Sequence, residues 1–273
     1  MKVAKCYPEK GMDCKSIVQK AKNLGLDGLA VSAISGSCAH FKTEKMRHSG
    51  FALRELRDAV QAEGLQFGLI FPFFHDEHVW NKSPERRASL PEKDLAWYRP
   101  LCPVYPGLFE ERLSLFLEAT CEIKPDFVGL DFFRFPLFWE GIGESMEVKT
   151  CSCESCSADG RRSEVIREYA EVIMEKIEGL RACVHLVPFT IGEVQEATGQ
   201  DPQALAGAGL VLSPMLYHKL LKREESFVGE ALKLLESFQV WPSVELGSAF
   251  FEDTSGTLQG YEKVIYFYFD LKK

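Results

Sequence analysis

Short, continuously apolar runs alternate with amphipathic stretches from one end of this chain to the other. That pattern, more than any single motif, limits the fold. Strands that alternate apolar and polar residues have one wet face, whereas unbroken apolar runs mark parallel strands buried on both faces. Runs of the second kind occur at Val3–Tyr7, Gly28–Ser35, Leu65–Phe74, Asp126–Phe133, Cys183–Phe189, Gly209–Leu216, Gln239–Leu246 and Val264–Asp270. Helical spacing separates them. Met12–Leu24 places Ile17, Val18, Ala21 and Leu24 on one face, with Gly25 as a stop signal. Helices are also expected over Phe51–Ala62, Leu108–Ile123, Val165–Leu180, Pro202–Ala208 and Phe227–Phe238, with a short one over Thr257–Lys263. The clearest is Val165–Leu180, where Val165, Ile166, Tyr169, Val172, Ile173, Ile177 and Leu180 share a face.

Eight such units in 273 residues predict an α/β fold, a single-domain (β/α)8 TIM barrel spanning 1–273, since that architecture occupies about 250 residues. An open doubly wound sheet is the rival. Its Gly-rich turn after the first strand is missing, because PEKGMD carries one Gly. Two long connections, 75–106 and 134–160, fall on the C-terminal face, where barrels carry their chemistry.

Charge narrows the partners. With 32 basic and 40 acidic residues the chain carries −8, and no basic stripe offsets it, which argues against nucleic acid and makes a polyanionic substrate less suitable. No apolar run reaches 18 residues and the N-terminus lacks the apolar core of a signal peptide, so a soluble, cytoplasmic chain without a membrane partner is expected. Its nine cysteines cannot all pair with one another, and six of them are scattered singly, as reduced thiols are. The sequence fixes no oligomeric state.

Strand ends supply the candidate site. Strand four reads FVGLDFFRF, in which Asp131 interrupts a buried run. A charge there costs several kcal/mol unless it is paired or at the open end. An ion pair with Arg134 at the rim is one reading; a carboxylate aimed into the site, with Arg134 fixing its charge or holding substrate, is the other. Glu245 ends strand seven in WPSVELGS, and a rim salt bridge is its plainer role. Together, Asp131 and Glu245 could form the two-carboxylate pair that glycoside hydrolysis needs, one giving a proton and one attacking or activating water. His75, Asp76, Arg134, Trp97, Trp139, Tyr217 and His218 are the expected contacts to a small-molecule or oligosaccharide substrate, since sugar C–H faces stack on aromatic rings. Two further readings use the same ends: a metal-dependent isomerase or hydrolase built on His75, Asp76, Glu77 and His78, and a barrel that binds glycans without turnover.

The segment CSCESC places Cys151, Cys153 and Cys156 in a C-x-C-x2-C spacing. Three thiolates this close suit a tetrahedral structural zinc that staples the loop, with Cys102 or His78 as candidate fourth ligand. Free thiols, or one disulfide plus a thiol, fit the same spacing. The iron–sulfur radical spacing C-x3-C-x2-C after strand one is a poor match, and no organic cofactor is expected.

Taken together, WYRPLCPVYPGLFEERLSLFLEA, DFVGLDFFRFP, CSCESC and LSPMLYHKLL, between Trp97 and Leu221, resemble glycosyl hydrolase-like (β/α)8-barrel families. In those families a Trp…Cys-Pro…Pro segment precedes a helix, a strand ends in L-D-x-x-R-[FY], and a Cys-x-Cys-x-x-Cys loop follows. The resemblance implies a barrel of glycosidase type, with Asp131 and Arg134 on the strand-four motif. Many glycosidase barrels end that strand in Asn-Glu; here it ends in Leu130-Asp131, with Glu140 in the loop beyond.

Overall fold

The computed structural model describes residues 1–90, 97–137, 150–188, 193–245 and 256–267. The strands of its main sheet are β1 (Lys2–Cys6), β2 (Gly28–Ser32), β3 (Gln66–Pro72), β4 (Phe127–Asp131), β5 (Arg181–Leu186), β6 (Val211–Pro214), β7 (Ser243–Glu245) and β8 (Val264–Phe267). They lie parallel in the order β7–β8–β1–β2–β3–β4–β5–β6. Single pairings of Leu212 with Val240 and Met215 with Ser243 bring β6 beside β7. Eight parallel strands thus form a nearly closed (β/α)8 barrel, as the apolar runs predict.

The helices are α1 (Cys14–Asn23), α2 (Leu53–Ala62), α3 (Glu77–Lys82), α4 (Leu108–Ile123), α5 (Glu154–Asp159), α6 (Arg162–Lys176), α7 (Glu193–Thr198), α8 (Pro202–Gly207) and α9 (Ser226–Lys233). Local chemistry sets their starts. The Asp13 carboxylate accepts from the Ser16 amide at 2.8 Å and caps α1. Asp201 caps α8, whose first residue is Pro202, a position where a missing N–H costs nothing. The expected Thr257–Lys263 helix is instead a run of turns, because Gly256 and Gly260 both take positive φ. Strand seven is shorter than its apolar run: Pro242, which has no N–H to donate, precedes its start at Ser243. The far ends expected for strands five, seven and eight lie outside the described residues.

Alternation along each strand decides what enters the barrel. Val3, Ala30, Ile70, Phe127, Cys183, Val211, Trp241 and Ile265 form one buried apolar cluster in the interior. Phe127 meets Trp241 edge-on at 5.5 Å. Lys263 lies over both rings, 3.5 Å from the Phe127 centroid and 4.1 Å from that of Trp241, and closes the N-terminal end of the barrel. Gly68 makes room there, since a Cβ on it would sit 2.2 Å from the Phe127 ring. Two residues further along the same faces, or four in the case of Asp131, the interior turns polar: Lys5, Ser32, Asp131, His185, Ser213 and Ser243 are all buried. The outward faces pack against the helices in the main core.

Candidate active site at the barrel mouth

Above the polar layer opens a cavity of about 700 Å³, lined among others by Lys5, Tyr7, Glu9, His75, Trp97, Asp131, Phe132, Arg134 and Tyr217. It sits at the C-terminal ends of the strands, where barrel enzymes act.

Asp131 is its charged centre. The register pairs it with Pro72 on β3, and its Oδ2 accepts from Lys5 Nζ at 2.5 Å. Oδ1 accepts from the Phe132 amide at 3.0 Å. Burial is the largest influence and works against the charge, but the Lys5 ammonium, His185 and the Phe132 amide together outweigh it and hold the Asp131 carboxyl well below the usual carboxylate range. Burial likewise opposes the Lys5 charge, and Asp131 more than restores it, so the ammonium titrates above an ordinary lysine. The partner of Asp131 is therefore Lys5 from β1, and the rim pair with Arg134 does not form. Arg134 Nη1 is turned to the carbonyls of Phe135 and Leu137, at 3.3 and 3.1 Å.

Phe132 follows Asp131 with φ +49°, the left-handed region that bulky residues avoid. Strain of this kind persists where surroundings over-determine it, and it collects at functional sites. Here the Phe132 ring stacks on His75 with centroids 4.4 Å apart, and His75 Nε2 contacts the Trp97 carbonyl at 3.0 Å. The Phe132–His75 stack joins the segment after β4 to the loop after β3, and the Trp97 contact fastens that loop on itself. Trp97 is half exposed and lines the cavity. Across the mouth, the Tyr217 hydroxyl meets Ser243 Oγ at 3.0 Å and its ring stacks on Phe267 at 4.6 Å.

Other expected residues take different places. Asp76 is buried behind β3, where one carboxylate oxygen accepts from Arg112 and the other caps α3 through the Val79 amide. Glu245 is not on the described cavity lining. Its carboxylate accepts from the amides of Lys219 at 3.0 Å and Leu220 at 2.8 Å, and His218 Nδ1 lies 3.3 Å from it. Both residues thus brace the turn that carries Tyr217. Trp139 and Glu140 lie outside the described residues. His75, Asp76, Glu77 and His78 form no ligand cluster among the described residues.

Sequence reading missed Lys5 and His185. Lys5 sits in VAKCY as Asp131 sits in its own strand, a lone charge inside a buried run, and that symmetry was the available signal. His185 is fully buried, with neither ring nitrogen hydrogen-bonded among the described residues. Burial and the nearby Lys5 charge push its pKa down to about 4.

Beside the mouth, Cys102 joins Cys151, Cys153 and Cys156, and their sulfurs all lie within 4.8 Å of one another. This group could hold a metal ion, and Cys102 rather than His78 completes it. All nine cysteines are free thiols.

The fold has solved counterparts. The chain superposes on the PgaB (BpsB) glycoside hydrolase domain of Bordetella bronchiseptica with a TM-score of 0.74 and 9% identity, covering 98% of this chain and 93% of that one. For the glycoside hydrolase domain of PelA from Pseudomonas aeruginosa the figures are 0.57, 12%, 97% and 93%. For alpha-L-fucosidase isoenzyme 2 from Paenibacillus thiaminolyticus they are 0.62, 14%, 92% and 42%. At these identities the likeness is one of fold. No protein-family model matches the chain, and no curated protein matches it. Among the described residues, no helix is long and apolar enough to cross a membrane.

Proposed function

We propose that the protein is a glycoside hydrolase whose chemistry centres on Asp131. One observation carries this reading: a carboxylate kept ionised by Lys5 faces a strand-end cavity flanked by Tyr7, Trp97 and Tyr217. An ionised carboxylate can attack a sugar carbon or activate water, and rings at the rim offer faces for sugar C–H groups. Glycoside hydrolase domains among the structural neighbours support the same class.

The reaction needs a second carboxylate as proton donor. Two acids stand for that role. Glu245 is the partner expected from the sequence, but two backbone amides occupy its carboxylate. Glu9 lines the cavity on the loop after β1 and is favoured by position. The unpaired thiols support a reducing, cytoplasmic setting.

The test is a broad panel of aryl glycosides and oligosaccharides. Wild type is expected to hydrolyse at least one, and Asp131→Asn to lose on the order of 10³-fold in kcat/KM. Glu9→Gln is expected to fall more steeply than Glu245→Gln, and the reverse would restore the Asp131–Glu245 pair. Sugar binding by calorimetry with no product on the whole panel would make the barrel a glycan-binding protein instead.

A further inference from the structure

The four-cysteine group lies outside the chemistry just described, and its geometry asks for an occupant. Cys102 Sγ is 3.1 Å from Cys156 Sγ and 3.4 Å from Cys153 Sγ. Four thiolates around a tetrahedral zinc, with Zn–S near 2.3 Å, must lie about 3.8 Å apart. The observed sulfurs, from 3.1 Å up to the 4.8 Å limit of the whole group, bracket that edge. Disulfides would require pairs near 2.0 Å, and the four thiols form none. Cys102, Cys151 and Cys156 are buried, which costs little for a thiol and leaves the site closed to further ligands. A closed, all-thiolate, four-coordinate group is the donor set of a structural zinc site.

We propose that Cys102, Cys151, Cys153 and Cys156 bind one zinc ion, and that this ion ties the loop after β3 to the loop after β4. One backbone contact already runs alongside: the Ser152 amide donates to the Ser89 carbonyl at 2.9 Å. Each side is held further, by the Cys102 amide on the Arg86 carbonyl at 3.0 Å and by Thr150 Oγ1, 2.9 Å from the Pro136 and Ala197 carbonyls. Trp97 belongs to the first loop and Arg134 to the second, so the ion would fasten two neighbouring stretches of cavity lining to each other without touching substrate. Binding four thiols releases their protons as zinc enters, and no redox partner is needed.

Metal content of the protein, purified without chelator, is the first measurement, and one zinc per chain is expected. Cobalt(II) exchanged into the site should give the intense visible bands of a tetrahedral thiolate centre. Cys102→Ser and Cys156→Ser should each lose most of the bound zinc, whereas Cys121→Ser, an exposed thiol on α4, should keep it. Chelator treatment of wild type should lower its melting temperature, and zinc should restore it. If a cysteine variant fails to fold, the wild-type cobalt spectrum and the thiol count still decide. Four thiols lost to disulfides in the purified protein, iron in place of zinc, or zinc content equal in Cys121→Ser and Cys156→Ser would each overturn the proposal.

Discussion

The Arg112–Asp76 pair, just beyond the end of β3, and the Lys5–Asp131 pair, which links β1 to β4, are both buried, and they are built for different ends. Arg112 reaches from α4 behind β3. Its Nε donates to the Phe73 carbonyl at 2.9 Å, its Nη2 to the Pro72 carbonyl at 2.7 Å, and its Nη1 to Asp76. Asp76 uses its remaining oxygen to cap α3. Both partners are held by further hydrogen bonds, and neither lines the cavity at the barrel mouth. Lys5 and Asp131 are equally charged and nearly as buried, yet both border the cavity. The contrast separates architecture from chemistry: a buried pair closed by further hydrogen bonds holds elements together, while one that opens onto space keeps a charge available there.

Cutting the closed pair should give the largest effect on folding. Arg112→Leu strands the Asp76 carboxylate in the core, and such a change costs about 3–5 kcal/mol. The melting temperature should fall on the order of 10 °C, while kcat at a permissive temperature stays near wild type. A loss of kcat without a shift in melting would erase the distinction between the two pairs.

Cutting the open pair should reverse that pattern. Lys5→Met removes the largest of the contributions that oppose burial at Asp131. The carboxyl pKa should then rise, and the acid limb of the kcat/KM profile should move to higher pH. At neutral pH the loss should be on the order of 10²-fold. An unmoved acid limb would mean that Lys5 does not set the charge of Asp131.

The smallest effect sharpens the comparison from a neutral neighbour. His185 titrates at about 4 when folded and at about 6.5 when unfolded. Between those values the unfolded chain binds the extra proton, so stability rises with pH through that window and drains as pH falls. At pH 5 the deficit attributable to His185 is about 2 kcal/mol. Asp131 acts lower on the scale, because its folded pKa is depressed: its contribution is complete above about 4 and is lost on further acidification. Melting His185→Gln alongside wild type from pH 7 to 4.5 checks the assignment. The variant should lose less on acidification, and parallel curves would reject it.

The same contrast explains what could be read without coordinates. Asp131 was legible because a charge inside FVGLDFF violates the apolar run around it. Barrel strands were legible for the same reason, since burial on both faces leaves an unbroken signature. Arg112 was not: within LFEERLSLF it resembles the solvated charges beside it, and only the helix packing against β3 turns it inward. Nor was the place of Asp76 legible, because the acceptor demand of a distant arginine leaves no trace in HDEH. Cys102 stood out as a possible fourth ligand only through its residue type, since loop closure brings it 54 positions in sequence to Cys156. Local patterns record burial; they do not record which distant group a side chain will meet.

Lys263, Trp241 and Phe127 plug the barrel from below. Among the described residues the barrel interior is thus a blind well, stoppered at one end and open at the strand ends, so a molecule seated against Asp131 would back out by the way it came in.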